Sequence, residues 1–373
     1  MTTDPVRSSG VRRRARHAPH HLPSKETVGA GAVLHSRPRP PRITAVAPLP
    51  RLRRMVGCAA DDVGPERSPA ARYIDGVSER GDLGYFGPQS VSWQVHREVT
   101  VLFGGARAVL MQAAHPLVIA GARKTGFYER NPWKRLQRTL ILTYTMTFGS
   151  IAEAHAAADR INDVHARIGG IDDVTGLPYD ALDPDLLLYV HACLVDSALL
   201  FEERTVGRLD EAGRQRFHEE QMLAAELVKV PRSIIPATVP ALRRYLDEVA
   251  EGGMLRVTDA ARAVADLFLD PPQDAEWRPI LRVVSKLAFG TLPPPVRAMY
   301  GVDARPATEL GTRATFAAAR ALRPLLPPRL RFIAPYNEWR LRRKGRKVDN
   351  AVDQARRAAG IRLGADPREP LEP

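Results

Sequence analysis

The sequence predicts an all-α protein whose folded part is a single large helical domain. Three observations carry this. Apolar residues recur at helical spacing in segment after segment, with almost no strand pattern between them. Ser150-x-x-Glu153 is a capping box, an independent mark of a helix start. The segment Asp185–Glu203 is apolar on nearly all sides, as a helix in the middle of a domain must be.

The elements follow in order. His96–Ala114 carries Val99, Leu102, Phe103, Ala106, Val109, Leu110 and Ala113 at helical spacing. The Gly104-Gly105 pair inside it costs helix stability, so it implies close approach of another backbone or a flat ligand. His115-Pro116 ends this helix, because proline disfavours a helical residue before it. Pro132–Phe148 is the next helix, stopped by Gly149. The capping box then opens Ile151–Ile168, and Gly169-Gly170 closes it. A polar loop runs to Leu182, and Asp183-Pro184 supplies an N-cap and a first-turn proline. Further helices are predicted at Asp210–Lys229, Val239–Glu251, Thr258–Leu269, Ile280–Phe289, Pro294–Tyr300 and Ala307–Ala321. The chain thus divides into a disordered basic tail (1–65), the helical domain (66–325) and a Pro-rich basic C-terminal extension (326–373).

The net charge of +13 suggests nucleic acid until it is mapped. Residues 1–60 carry 12 basic side chains against two acidic ones, and residues 320–373 carry 14 against six. The body between is mildly acidic, at −5, so no specific nucleic-acid binding is expected. Weak contact of the basic ends with an acidic membrane surface is compatible with their charge. The first 65 residues lack aromatic stacking residues and read as solvated extension. No apolar run near the length of a membrane span is found, and no apolar stretch follows Arg12-Arg13-Arg14 as a signal peptide would require. The two cysteines, Cys58 and Cys193, are not expected to pair and form no CxxC motif. The expected location is cytoplasmic.

The candidate chemistry lies in the histidines. A helical wheel places His165 in an apolar stripe with Ala154, Ala158, Ile161 and Ile168, with the charged residues on the other side. His191 lies within the strongly apolar segment, alongside Asp196 and Ser197. A buried imidazole needs a partner, either a metal or a hydrogen-bonding neighbour. His115 is expected to bond a free carbonyl at its helix end, and His96 and His218, beside charged residues, to lie at the surface or at a helix edge. Glu-x-x-His pairs, His-Glu-x-x-His, Gly-x-Ser-x-Gly, Gly-x-Gly-x-x-Gly and the phosphate-binding loop are all absent. Isolated buried histidines remain, a pattern compatible with haem, which needs one axial histidine and an apolar pocket.

Several blocks carry a resemblance: Phe86–Glu98, Gly104–Pro116, Arg135-Leu-Gln-Arg-Thr139, Val164–Arg167 and Tyr189–Ser197. Over roughly Ala71 to Leu269 the chain resembles the MpaB-type oxygenases and the catalytic domain of rubber oxygenase (latex clearing protein). The resemblance implies a globin-like helical core holding haem b. It also implies oxidative cleavage of carbon–carbon double bonds in isoprenoid chains by dioxygen. Rubber-cleaving members have Arg-x-x-Lys-Thr beside the haem and a proximal histidine on a following helix. Arg135-x-x-Arg138-Thr139 is similar, with Arg138 in place of the lysine. Arginine stays charged, so a distal lysine ligand is not carried over. On this resemblance His165 is the expected haem-iron ligand, with His191 second, Arg138 near the cofactor, and Arg135 and Thr139 as catalytic residues. The expected partners are dioxygen and a small apolar, isoprenoid or lipid-like unsaturated substrate. The alternative is a haem-binding sensor or interaction protein without oxygenase activity.

Overall fold

A computed structural model describes residues 83–124, 132–269, 278–302 and 305–337, all within the unit Pro65–Pro373. The predicted tail over 1–65 lies outside the described residues, as does the basic run from Arg340 to Lys347.

The body is helical, as predicted. Its helices are α1 (Val91–His96), α2 (Val99–Leu102), α3 (Gly104–Ala113), α4 (Pro116–Lys124), α5 (Pro132–Phe148), α6 (Ile151–His165) and α7 (Pro184–Thr205). There follow α8 (Glu211–Leu227), α9 (Val239–Glu251), α10 (Asp259–Leu269), α11 (Arg278–Gly290), α12 (Pro294–Met299), α13 (Pro306–Leu322) and α14 (Pro328–Arg331). Between α6 and α7 a short antiparallel hairpin forms from β1 (Gly169–Ile171) and β2 (Pro178–Asp180).

Helix α7 is the axis. The Asp183 carboxylate caps it by accepting from the Asp185 and Leu186 amides, at 2.8 and 3.4 Å. Tyr189, Ala192, Cys193, Val195, Leu199 and Phe201 are buried along its length. At 22 residues it is long and apolar enough to cross a bilayer, contrary to the expectation that no such run exists. However, 72% of its apolar window is buried inside the body, so the apolar character serves the core.

Helix α3 lies along α7, and the glycine pair explains how. A Cβ on Gly104 would stand 2.8 Å from the Ser197 carbonyl oxygen, whereas one on Gly105 would meet nothing. The close approach is therefore helix on helix at Gly104. It brings Arg107 of α3 onto the polar residues inside α7. The guanidinium pairs with Asp196 at 2.9 Å, donates to Ser197 Oγ at 2.8 Å, and donates from Nε to the Thr291 carbonyl at 2.9 Å. Arg243 shares the same carboxylate at 3.3 Å. A buried pair like Arg107–Asp196 adds little net stability, yet removing one partner costs about 3–5 kcal/mol because it strands a charge.

Some predicted elements differ from the observed ones. The single helix over His96–Ala114 is three pieces. Glu98 is extended (φ −81°, ψ 124°), which breaks the chain between α1 and α2. Its buried carboxylate is taken by Arg323 at 2.8 Å and Arg331 at 3.2 Å, from the far end of the body. After His115 the chain does end its helix, but Pro116 immediately opens α4, turned 103° from the path of α2–α3. The polar loop up to Leu182 contains the hairpin, whose turn is held by the Asp172 carboxylate accepting from the Thr175 amide and hydroxyl.

Between residues 326 and 337 the chain returns to the body. The Ile333 amide donates to the Arg97 carbonyl at 2.9 Å, and the Ile333 side chain is buried.

Candidate functional site

Helices α3, α4, α7 and α10 do not close completely on one another. The gap between them is a cleft of about 300 Å³, at the lower end of the usual size for ligand sites. Val109, Gln112 and Ala113 of α3 form one wall, and Leu117, Val118, Ile119, Gly121 and Ala122 of α4 the next. Leu186, Leu187 and Val190 come from the first turns of α7, and Val264, Leu267 and Phe268 from the end of α10. Leu136 and Thr139 of α5, His165 and Ile168, and Tyr179 of β2 complete it. The lining is mostly aliphatic, with one imidazole.

His165 reaches this cleft by the way α6 is built. The Ser150 hydroxyl accepts from the Glu153 amide at 3.2 Å, and the Glu153 carboxylate accepts from the Ser150 amide at 2.7 Å. The capping box starts the helix, and Ala154, Ala157 and Ala158 bury its inner face. The predicted helix runs to Ile168, but α6 ends at His165. Three more residues lead into β1, because Gly169 must approach the Tyr179 carbonyl across the hairpin. His165 is therefore a helix-terminal residue at the rim of the stripe, partly exposed, and not a fully buried one.

Thr139 stands on α5 with its side chain exposed toward the same space. Arg135 and Arg138 belong to the same helix, but their side chains lie outside the described residues.

His191 is placed differently. Its neighbour Val190 lines the cleft, and one residue along a helix turns by about 100°. His191 is therefore not among the cleft-lining residues; it is only 8% exposed, and Nε2 has no hydrogen-bond partner. Burial, and secondarily His218, push its pKa down to about 3.

The other imidazoles correct the sequence reading in part. His218 is fully buried, with Nε2 2.7 Å from the Pro236 carbonyl. His96 packs between Tyr144 and Phe217, with ring centroids at 6.1 and 5.4 Å, and burial pushes its pKa down to about 4. His96 is half-buried at the last position of α1, a helix edge as expected, whereas His218 is buried because the face of α8 that carries it turns inward. His115 stacks on Tyr189 at 5.3 Å, and its Nδ1 lacks the expected carbonyl partner; burial holds its pKa near 4. Cys193 is free and buried, and burial pushes its thiol up to about 12, which makes it inert at neutral pH.

The sequence reading missed Gln112 and Tyr179. Gln112 donates to the Val190 carbonyl at 3.1 Å, tying α3 to α7 beside the cleft. An amide inside the apolar run Val109-Leu-Met-Gln-Ala113 was the available signal. Tyr179 had none, since only the hairpin brings it over Gly121 of α4. Among the described residues, no group of three or more His, Cys, Asp or Glu side chains is arranged to hold a bare metal ion.

Comparison with known proteins adds to this geometry. Two uncharacterised mycobacterial proteins, Mb2261 of Mycobacterium bovis and Rv2237 of Mycobacterium tuberculosis, are each 25% identical to the chain over 200 residues. The match covers 52% of this chain and 70% of each relative. No solved structure matches. A family model described as the ER-bound oxygenase mpaB/B′ and rubber oxygenase catalytic domain matches residues 93–321, more than half of the chain and all of the cleft. The chain therefore belongs to the mpaB/B′ and rubber oxygenase catalytic-domain family, and is at that level an oxygenase.

Proposed function

We propose that the protein is a haem b-dependent oxygenase acting with dioxygen on a small apolar unsaturated substrate, isoprenoid or lipid-like. The observation that carries this reading is the meeting of His165 and Thr139 in one mostly aliphatic cleft, while His191 stays outside its lining. The residues present suit a haem: an apolar groove takes the flat macrocycle, and a single imidazole at its rim suffices for the iron. His165 is the residue that would hold it. What such a group supplies is the reactivity of dioxygen toward a carbon–carbon double bond.

The chain's own residues do the rest. The side chains of α3, α4, α7 and α10 exclude water and favour an apolar substrate by burial. The Thr139 hydroxyl can donate one hydrogen bond and accept others, so it can orient a polar atom of dioxygen or substrate. Arg135 precedes it by one turn on α5, and its guanidinium stays charged at any working pH.

Absorbance and iron analysis of protein purified from haem-replete cells test the reading. A Soret band with one iron per chain is expected, with oxygen consumed on addition of an unsaturated apolar substrate. Absence of both band and iron would overturn it. Haem without oxygen consumption across unsaturated substrates would favour a haem-binding sensor.

A further inference from the structure

We propose that the segment Leu322–Leu330 is a docking ridge for an anionic lipid surface. This goes beyond the oxygenase reading and does not depend on it. In this stretch a 3₁₀ turn (Arg323–Leu325) and α14 follow the end of α13. Leu322, Leu325, Leu326 and Leu330 are 57, 78, 38 and 57% exposed, and Pro324, Pro327 and Pro328 are exposed among them. Single exposed leucines are ordinary, but four exposed within nine residues, with three exposed prolines among them, concentrate apolar surface that water disfavours.

The ridge is held in place from beneath. Arg323 Nη1 donates to Glu98 Oε1 at 2.8 Å, and Arg331 donates to both oxygens of the same carboxylate, at 3.2 and 3.3 Å. Phe332 bridges to Glu98 through the backbone, and the Arg97 guanidinium lies 5.4 Å from the Phe332 ring. Glu98 thus uses up two of the local arginines and fixes both ends of the segment. The leucines between are presented outward on a shaped support, with little left to order on contact.

The charge around the ridge selects the occupant. From residue 310 to residue 337 there is no acidic side chain. Arg329 is exposed between Leu326 and Leu330, Arg320 is exposed two residues before Leu322 with Nη1 3.5 Å from the Glu203 carbonyl, and the sequence continues into Arg340-Leu-Arg-Arg-Lys-Gly-Arg-Lys347. Exposed leucines whose charged sequence neighbours are all basic match the apolar boundary and the phosphate layer of an anionic leaflet together. A second copy is a poor match, because a two-fold contact sets this patch against itself and arginine against arginine. Nucleic acid would use the arginines but leave the leucines in water.

Co-sedimentation of the full chain with lipid vesicles tests the proposal. Binding is expected to vesicles of mixed phosphatidylcholine and phosphatidylglycerol, and not to phosphatidylcholine alone. Replacing Leu325→Ser with Leu330→Ser should weaken it about tenfold or more, since two apolar side chains lose their burial. Arg329→Gln should weaken it about fivefold, the worth of one charge near an anionic surface. Unchanged circular dichroism of the variants keeps the comparison sound, as these side chains are exposed. Equal binding to both vesicle types would overturn the proposal. Binding that survives the leucine substitutions would also overturn it, by assigning the attraction to the basic run alone. So would a wild-type dimer that the leucine variant turns into a monomer on light scattering.

Discussion

His165 and His191 sit on successive long helices and looked alike in sequence, yet the structure gives them different surroundings. His165 ends α6 at the rim of an open cleft and is partly exposed. His191 is buried inside α7, with its Nε2 unpartnered and burial holding its pKa near 3. Burial alone therefore does not tell the two apart. What distinguishes the two is access to open volume, and access here comes from a helix ending early.

The largest expected effect breaks this pair apart. His165→Ala should abolish the Soret band of the purified protein, whereas His191→Ala should retain it. A lost band in the second and a kept one in the first would exchange their roles.

The next effect separates them by pH. His191 is neutral in the folded state, and its pKa lies below the ordinary 6.5. The folded chain thus binds fewer protons than the unfolded one. Stability from this group is complete above 6.5 and drains as pH falls toward 3. The slope is on the order of 1.4 kcal/mol per pH unit within that window. His96 and His115, both near 4, act in the same direction. Thermal unfolding midpoints should therefore fall between pH 6.5 and 5, before most carboxylates titrate. His191→Leu should flatten that fall; an unchanged slope would deny the histidine its part.

The smallest effect concerns the support of His165. Ser150→Ala removes the capping hydroxyl at the opposite end of α6 and should lower stability by about 1 kcal/mol. Denaturant unfolding measures it. Cofactor content should not change, since the cap lies far along the helix from the cleft.

What was legible follows from range. The capping box, the Asp183 cap and the apolar length of α7 are local signals, and each marks a helix that forms where expected, although α6 ends three residues early. The Gly104 contact was half legible: the glycine announced a close approach, but its partner Ser197 lies on another helix. The break at Glu98 was invisible, because the arginines that bury its carboxylate come from the far end of the body. His218 misled for the same reason: charged neighbours in sequence say nothing of which face a tertiary contact covers. In the cleft, His165 and Thr139 were within reach of periodicity and resemblance. Gln112 and Tyr179 needed the fold.

The Glu98 cluster has a consequence for the order of folding. Its carboxylate and the Arg323 guanidinium are 225 positions apart, so their meeting closes almost the whole body into a loop. Such a contact carries a large closure entropy and gains little until the helices between have packed. It therefore belongs among the last contacts to form and the first to open. Glu98→Gln should speed unfolding while leaving the refolding rate nearly unchanged, a division that stopped-flow mixing resolves. The cluster acts as a latch on the finished molecule and takes no part in its nucleus.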